Sequence, residues 1–238
     1  MDEVSIAGIK FEKGENGAGL IYLNMGETNA FDVPSLETLG QSLAEAVKLA
    51  SAGEIKSLVL LSKRPGYFSS GLDLNALDGG TDLASVLSLF FSNLKRLYLM
   101  PVPVISGIRG HALGYGCMLP LMGDYRILVE SGARIGLPEV KLGLRIPRIV
   151  IHEFQKVVGY AEANRQVLEG TAMKSEEALR CGYADSLHPE EDIESKCLAA
   201  ASRFKKLSSG GLASIRAASR QHPDVYEEIV ARDLQENL

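Results

Sequence analysis

The chain of 238 residues has few cysteines, no excess of basic residues and no long apolar run. Its three cysteines, Cys117, Cys181 and Cys197, lie far apart, which predicts reduced thiols rather than a disulfide framework or a metal cluster. A formal net charge of −5 provides no basic field that would attract nucleic acid or an anionic membrane. No segment approaches the roughly 18 apolar residues of a membrane span.

Targeting signals and metal-binding patterns are lacking as well. Residues 1–4 contain neither the basic nor the apolar segment of a signal peptide, and residues 236–238 are not a peroxisomal tripeptide. The four histidines are scattered along the chain and form no metal-binding pattern. From these absences we expect a cytoplasmic protein without a metal site.

The middle of the chain alternates strand and helix patterns. Residues 57–62 are a continuous apolar run, which is typical of a strand covered on both faces. An amphipathic helix pattern follows at residues 83–97, and a second apolar strand pattern follows at residues 103–108. This order predicts an α/β layer or spiral with right-handed crossovers.

Helical spacing of apolar residues dominates the chain after Pro138. Because no low-complexity linker interrupts the chain, we expect one structural unit, in which a composition shift near residues 138–150 marks the start of a helical C-terminal subdomain. The further predicted elements are strands at 4–12 and 19–24 that form a hairpin, a loop at 29–32, a helix at 34–51, strands at 125–129 and 134–136, and helices at 147–158, 160–169, 175–181, 190–207, 211–220 and 223–236.

Two loops rich in small residues follow the apolar strands, at residues 63–74 and 109–116. Ligands of parallel sheets bind at the carboxyl ends of strands, so we expect the two loops to meet at one site. The second loop enters an apolar segment at residues 117–122, in which Pro120 predicts a short or distorted helix. Unpaired N–H groups at a helix start favour a developing negative charge. From the residues alone, the second loop has two interpretations. It provides one of the two donors of an oxyanion hole, or it is a tight turn that needs glycine for steric reasons.

Two further polar residues are ambiguous from the sequence. Glu139 stands among apolar and glycine neighbours, and its pattern fits either a catalytic carboxylate or an ordinary glutamate that starts a helix after Pro138. For His111 the sequence favours a structural role as a polar cap on the loop.

Three segments, in order, resemble motifs of the crotonase, or enoyl-CoA hydratase/isomerase, superfamily. Residues 68–74 are similar to its first oxyanion motif, and residues 110–117, followed by 123–126, are similar to its second. Residues 136–143 resemble its acid/base segment, and residues 24–31 resemble the loop that passes the adenine and pantetheine of CoA. Longer segments around these motifs, residues 64–74, 123–128 and 142–147, are most similar to the Δ3-Δ2-enoyl-CoA isomerase branch.

The resemblance runs from about residue 8 to about residue 220. It implies an α/β fold with a crotonase-like β-β-α spiral core at residues 1–190 and a helical C-terminal trimerisation region at residues 191–238, which together form one structural unit. It also implies an acyl-CoA thioester substrate, no separate cofactor, and a homotrimer or dimer of trimers. The thioester oxygen is expected between the backbone N–H groups of Leu72 and Tyr115, with Glu139 as the catalytic residue.

The resemblance also identifies residues expected around the substrate. The residues expected to contact the CoA thioester are Ala30, Phe31, Phe68, Ser70, Gly71, Leu72, Asp73, Leu74 and Gly114. Four basic residues are interpreted as solvated helix charges or as contacts of the CoA phosphates: Lys205, Lys206, Arg216 and Arg220.

The chain departs from the hydratases of the superfamily at Met118, which stands where they carry the first of two catalytic glutamates. The one remaining carboxylate suits a proton shuttle, so the resemblance favours isomerisation of 3-enoyl-CoA to 2-enoyl-CoA. We expect Leu137, Val140 and the bound acyl chain to shield Glu139 from water and raise its pKa. Tyr115 stands where many members have glycine, and we expect its side chain to reshape the pocket.

Two alternatives remain open at this point. One is a hydratase, or another crotonase reaction such as thioester hydrolysis or decarboxylation, with a second acid that the sequence does not reveal. The other is a non-catalytic member that binds CoA thioesters without turnover.

Overall fold

The computed structural model describes residues 7–14, 16–77 and 82–235. The strands within these ranges are β1 (Ile9–Lys13), β2 (Ala18–Leu23), β3 (Ala30–Phe31), β4 (Ser57–Ser62), β5 (Gly66–Ser69), β6 (Gly71–Leu72), β7 (Val104–Ile108), β8 (Gly110–Leu113), β9 (Tyr125–Val129), β10 (Ile135–Gly136), β11 (Ala172–Met173) and β12 (Ser186–His188). The α-helices are α1 (Val33–Ser51), α2 (Leu74–Leu77), α3 (Leu83–Tyr98), α4 (Tyr115–Leu121), α5 (Arg148–Val158), α6 (Tyr160–Glu169), α7 (Ser175–Arg180), α8 (Ile193–Ser202), α9 (Ser209–Ala218) and α10 (Pro223–Gln235).

A six-stranded sheet in the order β1-β2-β4-β7-β9-β12 forms the centre of the fold. The predicted hairpin is confirmed by the antiparallel pairing of β1 with β2, and the remaining neighbours pair in parallel. Every residue of β4 is buried, which agrees with its continuous apolar sequence. Residues 4–6 of the predicted first strand lie outside the described residues.

Helices α1 and α3 pack against each other. Their bounds confirm the helices predicted at residues 34–51 and 83–97. Helix α1 begins after Asp32, whose carboxylate accepts a hydrogen bond from the Ser35 N–H at 2.9 Å. This is a typical N-terminal cap, because it satisfies an N–H group without a partner inside the helix. Leu36, Leu39 and Leu43 of α1 are fully buried, so its apolar face forms part of the core.

A four-stranded sheet in the order β11-β10-β8-β5 and a two-stranded sheet of β3 and β6 lie beside the central sheet. The sequence predicted loops at 29–32, 63–74 and 109–116, and this part of the prediction is wrong. These segments contain strands β3, β5, β6 and β8, which are only two to four residues long and pair with segments distant in the chain. Such pairing leaves no local sequence signal, because the stabilising partner is supplied by the tertiary fold.

The predicted helices after Pro138 are present, with differences at their ends. The predicted helix at 190–207 is shorter, because a 3-10 turn occupies Glu190–Asp192 and α8 ends at Ser202. Helix α9 begins two residues earlier than predicted, after Ser208, whose hydroxyl accepts from the Gly211 N–H. Residue 236 of the last predicted helix lies outside the described residues.

Helix α4 has seven residues and contains Pro120 near its end, which confirms the predicted short helix. Proline lacks the N–H that would continue the helix. Two residues later, the Met122 N–H still donates to the Met118 carbonyl at 3.2 Å, so the helix closes its last turn after the proline.

A buried ion network attaches α9 to the central sheet. Arg216 is 6% exposed, and its guanidinium donates to Asp124 at 2.8 Å and to the Leu97 carbonyl at 3.1 Å. Arg220 donates to Asp124 at 2.7 Å and approaches Glu153 at 3.4 Å. The interpretation of these two arginines as solvated charges or CoA-phosphate contacts is therefore wrong. Lys205 and Lys206 are exposed.

Replacing Arg216 with alanine is expected to lower the free energy of unfolding by about 3 kcal/mol, because one partner of a buried ion pair is lost. The matched control is Arg232→Ala, which removes an exposed pair with Glu228 and is expected to cost less than about 0.5 kcal/mol. Urea denaturation of both variants measures the difference. Equal losses for the two variants would contradict the proposed importance of the buried network.

Candidate active site

Asn29 connects the loop before β3 to the end of β5. Its side chain accepts from the Met25 N–H at 2.7 Å and donates to the Phe68 carbonyl at 3.0 Å and to the Ser62 hydroxyl at 2.8 Å. The residue is fully buried and has φ of 51°, a conformation that asparagine tolerates better than most side chains. This anchoring role was missed from the sequence, where the polar residue suggested only a loop.

The hydroxyl of Ser69 fixes the turn into β6. It donates to the Asn29 carbonyl at 2.7 Å and accepts from the Gly71 N–H at 3.0 Å. The Asp73 N–H donates to the Phe31 carbonyl on β3 at 2.8 Å. Because successive N–H groups of a strand point to opposite sides, the intervening Leu72 N–H faces away from β3.

The two glycine-rich segments meet as the sequence predicted. Gly71 has φ of 103°, and a Cβ atom on it would lie 3.0 Å from the Leu113 carbonyl oxygen and 3.4 Å from the Tyr115 nitrogen. A Cβ on Gly116 would lie 2.3 Å from the Ser69 carbonyl oxygen. Glycine is thus required for the start of α4 to approach β5 and β6 so closely.

Tyr115 is the first residue of α4, so its N–H belongs to the group that has no partner within the helix. Gly114 precedes it with φ of 53°, and the Gly114 N–H donates to the Gly136 carbonyl at 3.0 Å. This bond connects the helix start to β10. The segment that carries Glu139 begins three residues after Gly136.

Glu139 opens a 3-10 helix over Glu139–Leu142 and is 7% exposed. Its Oε1 lies 3.1 Å from the position that a Cβ on Gly114 would occupy. Its Oε2 is buried and has no hydrogen-bond partner among the described residues. Burial raises the pKa of Glu139 from its usual 4.5 to about 7. The carboxyl group therefore lies beside the Gly114–Tyr115 turn and titrates near neutral pH.

The two side chains expected to shield Glu139 differ in their own exposure. Leu137 is 2% exposed, whereas Val140 is 47% exposed. Leu137 precedes the 3-10 helix, whereas Glu139 and Val140 are consecutive residues within it and point in different directions. Val140 faces solvent while Glu139 faces the interior.

Met118 and His111 complete the immediate surroundings of the turn. Met118 is buried on α4 and has no titratable group. The His111 ring packs against Tyr67 with ring centroids 5.0 Å apart. Its Nδ1 has no hydrogen-bond partner in the described part of the chain, so this nitrogen does not cap the loop.

The loop at residues 24–31, which is expected to lie beside the CoA moiety, borders a cavity of about 440 Å³. Ala30 and Asp73 are among the residues that line it. Ser70 lies at its side, and the Ser70 and Thr28 hydroxyls are 2.8 Å apart. Phe68 is fully buried, and Leu74 is 39% exposed. The structure thus brings the β3 loop and the β6 turn together on the side of Gly71.

A family model described as enoyl-CoA hydratase/isomerase matches residues 13–237. The chain belongs to the enoyl-CoA hydratase/isomerase family. The chain is 32% identical over 188 residues to enoyl-CoA delta isomerase 1, mitochondrial, of Rattus norvegicus, covering 78% of this chain and 64% of that protein. The human protein of the same name is 32% identical over 173 residues, covering 71% of this chain and 57% of that protein. The chain therefore spans less than two thirds of the length of these relatives.

Similarity to solved structures confirms the expected α/β crotonase fold. Human mitochondrial delta3-delta2-enoyl-CoA isomerase superposes with a TM-score of 0.82 at 26% identity, covering 96% of this chain and 87% of that chain. Pseudomonas aeruginosa DspI superposes with a TM-score of 0.80 at 25% identity, covering 99% of this chain and 96% of that chain. The isomerase branch is thus represented among both the sequence relatives and the solved structures.

Two observations bear on other expectations for this family member. Within residues 7–14, 16–77 and 82–235, no group of three His, Cys, Asp or Glu side chains could hold a metal ion. None of the described helices combines the length and apolar content that crossing a membrane requires. The cytoplasmic location stays a prediction.

The raised pKa of Glu139 predicts a pH-dependent difference in stability. The unfolded carboxyl titrates near 4.5 and the folded one near 7, so unfolding releases a proton between these pH values. The wild-type protein is expected to lose about 3 kcal/mol relative to Glu139→Gln as the pH rises through this window, and nothing further above it. Urea unfolding across the pH range measures this loss.

The matched control for that comparison is Glu130→Gln, which changes an exposed glutamate. It is expected to follow the wild-type pH dependence. A difference between wild type and Glu139→Gln that stays constant with pH would show that the folded carboxyl titrates normally.

Proposed function

We propose that the chain isomerises 3-enoyl-CoA thioesters to 2-enoyl-CoA thioesters, with Glu139 as the single acid/base group. The observation that carries this proposal is the position of Glu139. Its carboxyl group is buried, lacks a hydrogen-bond partner at Oε2 and lies beside the helix start at Gly114 and Tyr115. A carboxyl group that titrates near neutral pH is suited to accept and return a proton.

In the proposed reaction, the thioester oxygen accepts hydrogen bonds from the Leu72 and Tyr115 N–H groups. Glu139 removes a proton from C2, and the electrons of that C–H bond form a dienolate whose negative charge is on the thioester oxygen. Fixed N–H donors stabilise this charge, and removing one such donor typically costs about 10²–10³ in rate. The same Glu139 then returns the proton to C4, which leaves the double bond between C2 and C3.

The rigid backbone around the two donors supports this assignment. Ser69 and Asn29 fix the turn before Leu72, and Gly71 lets that turn approach Tyr115. Donors that are held in place before the reaction need no reorganisation as the oxyanion forms. The sequence relatives named for enoyl-CoA delta isomerase activity support the same class of substrate.

Hydration is the second candidate, and Met118 argues against it. Addition of water by two glutamates needs a second carboxyl group, and the buried Met118 side chain cannot accept or donate a proton. The proton shuttle needs only one carboxyl group. The third candidate is a family member that binds CoA thioesters without turnover. In such a protein the raised pKa of Glu139 would have no function.

Incubation with 3-hexenoyl-CoA and mass analysis of the product tests the proposal. Isomerisation leaves the mass unchanged, whereas hydration adds the mass of one water. Glu139→Gln is expected to lower kcat/KM by about 10²–10⁴, the usual contribution of a positioned acid/base group. In the wild type, kcat/KM is expected to rise as the pH increases through about 7, because the carboxylate is the form that removes the proton.

Glu130→Gln is the control for the same substitution at an exposed position, and it is expected to retain wild-type kcat/KM. Full isomerase activity in Glu139→Gln would rule out the single-carboxylate mechanism. A product heavier by one water would replace the isomerase with a hydratase.

We also propose a homotrimer or a dimer of trimers. Exposed apolar side chains support an interface beside the site, since Val140 and Leu142 on the 3-10 turn are 47% and 59% exposed. Helix α6 packs against that turn and exposes Tyr160 and Leu168. Apolar side chains clustered on a surface are typical of protein interfaces. Light scattering is expected to give three or six times the chain mass, and a monomer would contradict the proposal.

A further inference from the structure

Three aromatic rings in successive contact, with a fourth aromatic residue hydrogen-bonded to the backbone of the last, extend from Tyr115 of the proposed thioester site. We call this cluster the aromatic partition and define it as Tyr115, Phe90, Phe91 and Tyr226. The rings of Tyr115 and Phe90 have centroids 4.8 Å apart, and those of Phe90 and Phe91 are 5.1 Å apart. The Tyr226 hydroxyl donates to the Phe91 carbonyl at 3.4 Å. All four side chains are buried.

One side of the aromatic partition borders the proposed site. The Tyr115 ring packs edge-on against Phe31 with centroids 5.1 Å apart, and Phe31 is the register partner of Leu72. The backbone N–H groups of Leu72 and Tyr115 are the proposed donors to the thioester oxygen. The partition therefore begins at the side chain of one of the two donor residues.

The other side of the aromatic partition borders a cavity of about 670 Å³ between α3 and α10. Phe91 and Tyr226 line this cavity together with apolar residues that include Leu87 and Val230. Phe91 also packs against Phe90, and Phe90 packs against Tyr115, so ring contacts connect the cavity wall to the proposed site.

The direction of the acyl chain follows from the two faces of β3. Side chains of consecutive strand residues point to opposite faces. Ala30 lines the cavity expected for the CoA moiety, whereas Phe31 packs against Tyr115. In a thioester the acyl chain leaves the carbonyl carbon on the side opposite to the sulfur. A chain that extends away from CoA therefore runs toward Tyr115 and Phe90.

From this geometry we infer that Phe90 and Tyr115 determine acyl-chain length and restrict the site to short chains. The inference rests on the proposed function, because it assumes that the thioester oxygen lies at the Leu72 and Tyr115 N–H groups. Buried rings are packed at the density of organic crystals, so a long chain enters only by displacing one of them. The cavity between α3 and α10 lies beyond these rings and is not reached by the acyl chain of the wild type.

Comparison of 3-hexenoyl-CoA with 3-dodecenoyl-CoA tests this inference. In the wild type, kcat/KM is expected to be about 100-fold lower for the dodecenoyl substrate, within the range for a pocket that rejects added methylene groups. Phe90→Leu shortens the partition and is expected to raise the dodecenoyl-to-hexenoyl ratio of kcat/KM about tenfold. Tyr115→Leu, which keeps the backbone N–H donor and shortens the other ring of the inferred pair, provides a second variant with the same expected direction if Phe90→Leu does not fold.

Phe154→Leu is the matched control, because Phe154 is buried and packs against Tyr183 instead of the partition rings. It is expected to keep the wild-type ratio of kcat/KM while losing comparable stability in urea. Equal kcat/KM for the two substrates in the wild type would overturn the inference. An unchanged ratio in the folded partition variants would overturn it as well.

Calorimetric binding of saturated hexanoyl-CoA and dodecanoyl-CoA separates this inference from the proposed reaction. If no 3-enoyl-CoA is isomerised but hexanoyl-CoA binds more tightly than dodecanoyl-CoA, the reaction is wrong and the length restriction stands. Tighter binding of dodecanoyl-CoA, or no binding of either thioester, would overturn the length restriction. Phe90→Leu is expected to reduce the preference for hexanoyl-CoA.

Discussion

The candidate site depends on two backbone segments that approach more closely than side chains would allow. A Cβ on Gly116 would lie 2.3 Å from the Ser69 carbonyl oxygen, and one on Gly71 would lie 3.0 Å from the Leu113 carbonyl oxygen. Without side chains at these positions, the first turn of α4 rests directly on β5 and β6. The N–H groups of Leu72 and Tyr115 belong to these two segments, so the separation between the proposed donors is set by backbone packing.

Buried charged side chains outside the candidate site form ion pairs, whereas the buried carboxyl group of the site does not. Arg216 and Arg220 are bound to Asp124, and both also donate to backbone carbonyls, although the Arg220 Nε has no partner among the described residues. Glu139 is also buried, but its Oε2 has no partner among the described residues. Burial of an unpaired carboxyl group favours its neutral form. Such a group lowers stability above its pKa and is therefore most readily understood through a role in chemistry.

Several features of the fold could be predicted because the sequence signals for them come from neighbouring residues. The apolar run at Ser57–Ser62, the leucine spacing of α1 and Pro120 in α4 each predicted the element that is observed. The motif order predicted that the segments holding Leu72, Tyr115 and Glu139 belong to one family fold, and the family match over residues 13–237 agrees.

Other features were hidden because they depend on contacts between distant segments. Strands β3 and β6 have two residues each and pair with each other although helix α1 and strands β4 and β5 lie between them in the chain. Asn29 looked like an ordinary loop residue, yet its side chain holds the Phe68 carbonyl in place. The burial of Arg216 is of the same kind, since a helix pattern does not reveal that a carboxylate from another segment lies opposite.

The sequence by itself determined the fold family, the central strands and the identity of the one carboxylate that the motif offers. It did so because apolar periodicity, glycine positions and motif order are properties of neighbouring residues. Only the tertiary structure decided that Glu139 is buried while Val140 is exposed, and that the Tyr115 ring packs against Phe31 and Phe90. Burial and the pKa of a carboxyl group depend on which segments fold over it, and those segments come from distant parts of the chain.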